Sequence, residues 1–191
     1  MLRKKEVREA MRAARRAISP KARAMMSEDI CRRILLRGDV AAVTAAKGVF
    51  AVYLAVRDEV DLSYLVKRLW DMECPVAVPA WRGDSYSLVR LVRGGGLAPG
   101  PKGILEPLPS AAAVDPAEPA VWIVPGLAFT PDGRRIGYGG GWYDRLLARA
   151  RPGAVVLGVA YPCQVAEDLP VEPHDAVLTG VVVACSGEGM S

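Results

Sequence analysis

The densest chemistry in the chain lies in one stretch, "GRRIGYGGGWYDRLL", Gly133 to Leu147. Gly137, Gly139, Gly140 and Gly141 allow the backbone to come close to a ligand and to turn successive N–H groups into one concavity. Arg134 and Arg135 add positive charge just before them. A helix beginning after Gly141 would add its free N–H groups and the positive end of its dipole. Together these favour a polyphosphate. Asp144 is then the odd residue, because a carboxylate beside phosphates repels them unless a divalent cation lies between. Magnesium is commonly held by one or two carboxylates plus phosphate oxygens. The stretch is not a familiar nucleotide loop: G-x-x-x-x-G-K-[ST] is absent, and Trp142 stands where G-x-G-x-x-G needs its last glycine. The plainer alternative is a tight turn, with Asp144 complementing a helix N-terminus.

Such a loop needs a scaffold, and the flanking sequence supplies one. Residues 2–17 read as a helix with Leu2, Val7, Met11, Ala14 and Ile18 on its apolar side and lysines and arginines elsewhere. Ser19-Pro20 is an N-cap followed by a first-turn proline, so a second helix should run to about Arg37. Strands are expected at 47–54, 74–80, 85–92, 120–126, 154–161 and 175–184. Asp61 should cap a helix over 62–72. Tyr143, Leu146, Leu147 and Ala150 share one face of a helix of two to three turns. Residues 93–120, rich in glycine and proline, read as a long surface connection, and the residues from Cys185 on should fray.

Continuously apolar strands alternating with helices indicate an α/β protein whose parallel or mixed sheet is covered on both faces. We expect a three-layer α/β/α single domain over residues 1–191, with the basic helices 2–37 packed on it. Ligands in such folds bind at the carboxyl ends of the strands. Two loops after strong strands, "AVRDEVD" and the glycine stretch, are therefore the places to look.

Composition narrows the function. Half the residues are hydrophobic and the formal charge is +4, as in an ordinary mildly basic globular chain. Cys31, Cys74, Cys163 and Cys185 are far apart and share the chain with one histidine, His174, so a zinc site is not expected. The first residues lack the apolar core of a secretory signal, and scattered cysteines suit a reducing compartment, so a cytoplasmic location is expected. The most apolar run contains Lys47 and reads as a helix end and a buried strand, not a membrane span. Basic residues without interleaved aromatics or a recognised motif argue against nucleic acid.

The segment "PGLAFTPDGRRIGYGGGWYDRLL" closely resembles the signature of the 5-formyltetrahydrofolate cyclo-ligase family, also called 5,10-methenyltetrahydrofolate synthetases. The likeness extends to the basic first helix with K-x-x-x-R, the strand followed by D-E, "PKGILEP" and "PHDAVLTG". It implies a fold of the NagB/RpiA/CoA-transferase-like kind. It also implies an ATP- and Mg2+-dependent enzyme that turns 5-formyltetrahydrofolate into 5,10-methenyltetrahydrofolate, acting as a monomer on small molecules.

By that resemblance Lys4 and Arg8 contact ATP phosphates, and their i, i+4 spacing puts both on one helical face. A solvated basic face is the alternative. Arg135, Gly137, Tyr138, Gly139, Gly140, Gly141, Trp142 and Tyr143 should cradle the nucleotide, with Arg135 and Tyr143 catalytic. Leu54, Glu59, Tyr138 and Trp142 should hold the folate. Glu59 is suited to it, because adjacent N3–H and 2-amino donors of a pterin can both bond one carboxylate. Asp144 and Asp175 should hold magnesium. Trp81 could stack on the pterin or be core, and Glu106 is a further candidate on a loop. The chain departs from the family pattern at three places. Trp142 replaces the first of two tyrosines, Tyr138 and Gly140 stand where some relatives carry arginine and lysine, and the acid-bearing segment around Asp175 is short. His174 is read as a structural residue. A silent nucleotide- or folate-binding relative, and a nucleic-acid binder using the first helix, are the rival readings.

Overall fold

The computed structural model describes residues 4–170, 172 and 175–185. His174 and the tail beyond Cys185 lie outside the described residues, as does Leu2.

The chain opens with helices α1 (Lys4–Ala17), α2 (Pro20–Leu35) and α3 (Gly38–Ala45). Ser19 caps α2 as its sequence predicts: its backbone is extended, and its side chain accepts from the Ala22 N–H at 3.2 Å. The strands that follow are β1 (Phe50–Ala51), β2 (Val76–Arg82), β3 (Ser85–Leu91), β4 (Leu97–Pro99), β5 (Leu105–Pro107) and β6 (Ala113–Val114). Then come β7 (Val121–Val124), β8 (Ala128–Phe129), β9 (Arg135–Ile136), β10 (Val155–Ala160) and β11 (Gly180–Val183). Helix α4 (Ser63–Asp71) links β1 to β2, and α5 (Trp142–Leu147) precedes β10.

Seven strands form one mixed sheet in the order β11-β10-β7-β1-β2-β3-β6. Strands β11, β10, β7, β1 and β2 run parallel, β3 is antiparallel to β2, and β6 is antiparallel to β3 and so runs with the other five. One face carries Phe50, Val76, Ile123, Leu157 and Val159 against Ile30, Ile34, Val40, Leu65 and Leu69 of α2, α3 and α4. Each fully buried side chain of this size contributes about 1.5–3 kcal/mol by leaving water. The other face is thinner: Ala51, Ala77, Trp122 and Val124 pack against Phe129 of the β8–β9 hairpin and Leu146 of α5. A third cluster docks α1 onto that hairpin, Val7 and Met11 meeting Ala128, Ile136 and Leu169.

Four expectations need correction. The strand expected at 47–54 pairs on both sides only at Phe50 and Ala51, because the chain leaves the ladder there to enter a loop. The final strand is likewise short. Helix α5 has six residues, fewer than two turns. The 93–120 connection is not merely surface: β4 and β5 form a hairpin, and β6 joins the main sheet at its edge through Leu88 and Val89.

Candidate active site

Strand order places the site. From β1 the chain crosses to β2 on one side, whereas β7, β10 and β11 succeed one another on the other side. Adjacent parallel strands β1 and β7 thus send their following loops in opposite directions, which opens a crevice at their carboxyl ends. A cavity of about 1040 Å³ lies there, lined by Tyr53, Leu54 and residues 56–59 after β1 and by Pro125 and residues 135–146 after β7. Its size exceeds what one small ligand usually occupies.

Helix α1 forms a third wall. Lys4, Arg8, Arg12, Arg15 and Arg16 all line the cavity, so this basic side is not a solvated face. The two sides of the cavity differ.

On the Glu59 side the groups are buried and mutually bonded. The loop after β1 turns sharply at Arg57, which has φ 59° and so stores local strain. Glu59 staples that turn by accepting from the Val56 N–H at 2.9 Å. Burial raises the Glu59 pKa above the ordinary carboxylate range, while the Tyr138 hydroxyl and the Val56 N–H pull the other way. The Tyr161 hydroxyl donates to the Glu59 carbonyl at 3.2 Å, and the Tyr53 hydroxyl donates to the Val60 carbonyl at 2.8 Å. Next to Glu59, Asp58 receives a fork of two bonds from Arg15, each 3.0 Å long. Burial opposes the charge on Asp58, but the Arg15 bonds outweigh it and hold the pKa below its usual value. The Arg15 side chain is 4% exposed, and breaking such a pair typically costs about 3–5 kcal/mol. Leu54 lines the same side.

On the Asp144 side the charges neutralise one another. Arg135 is buried beneath the glycine loop, where it donates to Asp144 Oδ1 at 2.7 Å and to the Pro125 carbonyl at 3.3 Å. Its Nε has no hydrogen-bond partner among the described residues. Lys4 pairs with Asp175 at 2.8 Å and with Glu172 at 3.1 Å. Partial burial works against the Lys4 charge, but those carboxylates prevail and raise its pKa. Arg8 uses its Nε to donate to the Gly137 carbonyl at 2.9 Å, which leaves its terminal nitrogens for an anion. The loop needs its glycines: Gly139 and Gly141 have φ 103° and 62°, where a side chain is strained. Gly141 leads directly into α5. Tyr143 lies between the two sides; burial and nearby Glu59 raise its phenol pKa, so the hydroxyl is a neutral donor.

The segment that carries Asp175 reaches Asp144, whose Oδ1 accepts from the Ala176 N–H at 3.4 Å. Among the described residues no group of three or more His, Cys, Asp or Glu is arranged to hold a metal unaided. Two carboxylates that need further oxygens from a ligand are a donor set suited to magnesium on phosphates.

Some expected contributors lie elsewhere. Arg134 is bridged to Asp132 at 3.0 Å and Asp168 at 2.6 Å and does not line the cavity. Trp81 does not line it either. It forms an edge-to-face cluster with Tyr86 and Trp142, centroids 5.2–5.4 Å apart, in which Tyr86 and Trp142 reach the cavity. Arg145 stacks over Trp142 at 4.1 Å. Glu106 belongs to strand β5, is buried, and accepts from the Trp81 N–H at 2.8 Å, so it props this cluster from behind. Sequence reasoning missed Arg15, yet a signal was present. It lies eleven residues after Lys4, close to three helical turns, on the side of α1 that carries Lys4 and Arg8.

Comparison with known proteins agrees with this geometry. The family model described as 5-formyltetrahydrofolate cyclo-ligase family matches residues 1–184. The 5-formyltetrahydrofolate cyclo-ligase of Escherichia coli K12 is 30% identical over 181 residues, covering 90% of this chain and 95% of that protein. The one from Mycolicibacterium smegmatis is 29% identical over 158 residues, 80% of this chain and 81% of that protein. The solved structure of Aquifex aeolicus 5,10-methenyltetrahydrofolate synthetase superposes with a TM-score of 0.83 at 30% identity, covering 98% of this chain and 95% of that one. Fold, crevice and sequence thus converge, and the chain belongs to the 5-formyltetrahydrofolate cyclo-ligase family.

Proposed function

We propose that the protein converts 5-formyltetrahydrofolate to 5,10-methenyltetrahydrofolate, consuming ATP with magnesium and releasing ADP and phosphate. The observation that carries this reading is the division of one cavity into a buried carboxylate side at Glu59 and a cationic, glycine-lined side at Asp144. The first suits a pterin, whose N3–H and 2-amino group are parallel donors. The second suits a polyphosphate.

In this reading the formamide oxygen on N5 attacks the γ-phosphorus and ADP leaves. N10 then adds to the activated formyl carbon and loses its proton. The phosphate departs with the former formyl oxygen, leaving the methenyl bridge. Phosphoryl transfer requires in-line positioning and neutralised charge more than covalent help. Arg8, Lys4 and the N–H groups of Gly137–Tyr143 position the phosphates. Arg135 and Tyr143 act at the reacting end, the guanidinium countering charge on the transferring group and the neutral phenol donating to it. Glu59, Leu54, Tyr138 and Trp142 hold the folate. Asp144 and Asp175 would hold magnesium, whose charge offsets that of the phosphate oxygens.

The test is a turnover assay that follows the near-ultraviolet absorbance of the methenyl product, with ATP or magnesium omitted in turn. Growth of the band only in the complete mixture is expected. A flat trace with folate still bound by calorimetry would identify a silent binding relative instead. The basic side of α1 faces this cavity, which speaks against the nucleic-acid reading.

A further inference from the structure

We propose that Arg15 is a positioning residue for the folate side of the site, holding the Tyr138 phenol toward Glu59 while clamping the loop that carries Glu59. The inference rests on the folate reading of that side given above.

Its basis is the use made of one guanidinium. Nε and Nη2 donate to Asp58 Oδ2 and Oδ1, both at 3.0 Å, and Nη1 donates to the Tyr138 hydroxyl at 2.7 Å. A guanidinium can only donate, so the phenol oxygen must accept, and its own hydrogen is left for another acceptor. The carboxylate it stabilises is Glu59. Tyr138 needs such a tether. It sits between Gly137 and Gly139 in an exposed loop, where the backbone alone fixes little, and it is itself 42% exposed. Arg15, by contrast, is anchored on a helix and buried. Its third bond therefore ties the tip of a glycine-rich loop to α1. Asp58 is adjacent to Glu59 in the chain, so the fork fixes the backbone of the same acceptor. A lysine at position 15 would supply charge without the planar fork.

The experiment is calorimetric binding of 5-formyltetrahydrofolate, and separately of ATP with magnesium. The proteins are wild type, Arg15→Met, Arg15→Lys, Tyr138→Phe, the double variant Arg15→Met/Tyr138→Phe, and Glu59→Gln. Arg15→Met should weaken folate binding about tenfold, as loss of a charged hydrogen bond does. Its ATP affinity should change by less than about twofold. In the double variant Tyr138→Phe should add almost nothing, because both changes break one chain of contacts. Arg15→Lys keeps a cation beside Asp58 and should still lose most of the folate effect. If Arg15→Met does not give a cooperative melt, Arg15→Lys and its combination with Tyr138→Phe carry the same comparison. Wild-type folate affinity in the arginine variants, or effects of Arg15 and Tyr138 that multiply in full, would overturn the inference while leaving the folate reading standing, provided Glu59→Gln binds weakly. Wild-type affinity in Glu59→Gln would remove the folate from this side, and the inference with it.

Discussion

Both sides of the cavity hold charged groups but use them differently. Around Glu59 the bonds run inward: Arg15 to Asp58, Tyr161 to the Glu59 carbonyl and Tyr53 to Val60 fix a strained turn. Around Asp144 the acids and bases meet each other at the surface of the cavity: Lys4 with Asp175, Arg135 with Asp144. The first side is preorganised, so a ligand meets donors and acceptors already aimed. The second must exchange partners, since a phosphate that binds Lys4 or Arg135 competes with a carboxylate, and a cation on those carboxylates removes the competition. Rigid, buried recognition suits a heterocycle of fixed shape, and exchangeable ion pairs suit a charged group that arrives, transfers and leaves.

The largest effect that tests this contrast should come from Arg135→Ala. Losing one such electrostatic contact typically costs about two to three orders of magnitude in turnover. We expect that loss in kcat, measured well below the melting temperature, with folate KM little changed. A comparable rise in folate KM would mean that the two sides are not separable. Next comes Glu59→Gln, which turns a charged acceptor into a group that would present N–H to the proposed pterin. About a tenfold to hundredfold rise in folate KM is expected, with ATP KM near normal.

The same variant should affect stability in the opposite sense. The folded-state pKa of Glu59 is raised, so folding favours its protonated form. Its ionisation therefore lowers stability as pH climbs from the unfolded value of 4.5 through the raised one, and the penalty persists above that. Glu59→Gln should melt higher than wild type at pH 7, with the gain shrinking as pH falls toward 4.5. Thermal melts across that range check it, and a gain that grows on acidification would contradict the burial argument. The smallest effect belongs to the aromatic cluster. Trp81→Leu removes two edge-to-face contacts worth about 0.5–1.5 kcal/mol each. It should raise folate KM by less than about tenfold, through Trp142 and Tyr86, and leave ATP KM unchanged.

Much of this was legible from residues alone. The Ser19-Pro20 cap, the apolar strands and the glycine loop each have a local physical signature, and the structure has each of them, with the first and last strands shorter than expected. What stayed hidden depended on contacts remote in sequence. Arg15 meets Asp58 across 43 positions, so its helical spacing from Lys4 could mark its side of α1 but not its partner. Glu106 has the look of a loop acid, but a bond to the Trp81 N–H 25 positions away draws it under the sheet edge. Arg134 and Arg135 are neighbours of identical chemistry. Arg134, just before β9, reaches Asp168, whereas Arg135, the first residue of β9, reaches Asp144. Only the pairing of β8 with β9 fixes which is which.

Helix α1 carries Lys4 and Arg8 on the Asp144 side and Arg15 on the Glu59 side, with Arg15 about 10 Å from Arg8 and about 16 Å from Lys4 along its axis. It behaves as a ruler with two marks. Substitutions on its outer surface leave the marks in place. A single inserted or deleted residue between Arg8 and Arg15 turns one mark by about 100° relative to the other, so that no docking of the helix satisfies both. Lineages of this chain should therefore tolerate changes of length after α1 but not within it.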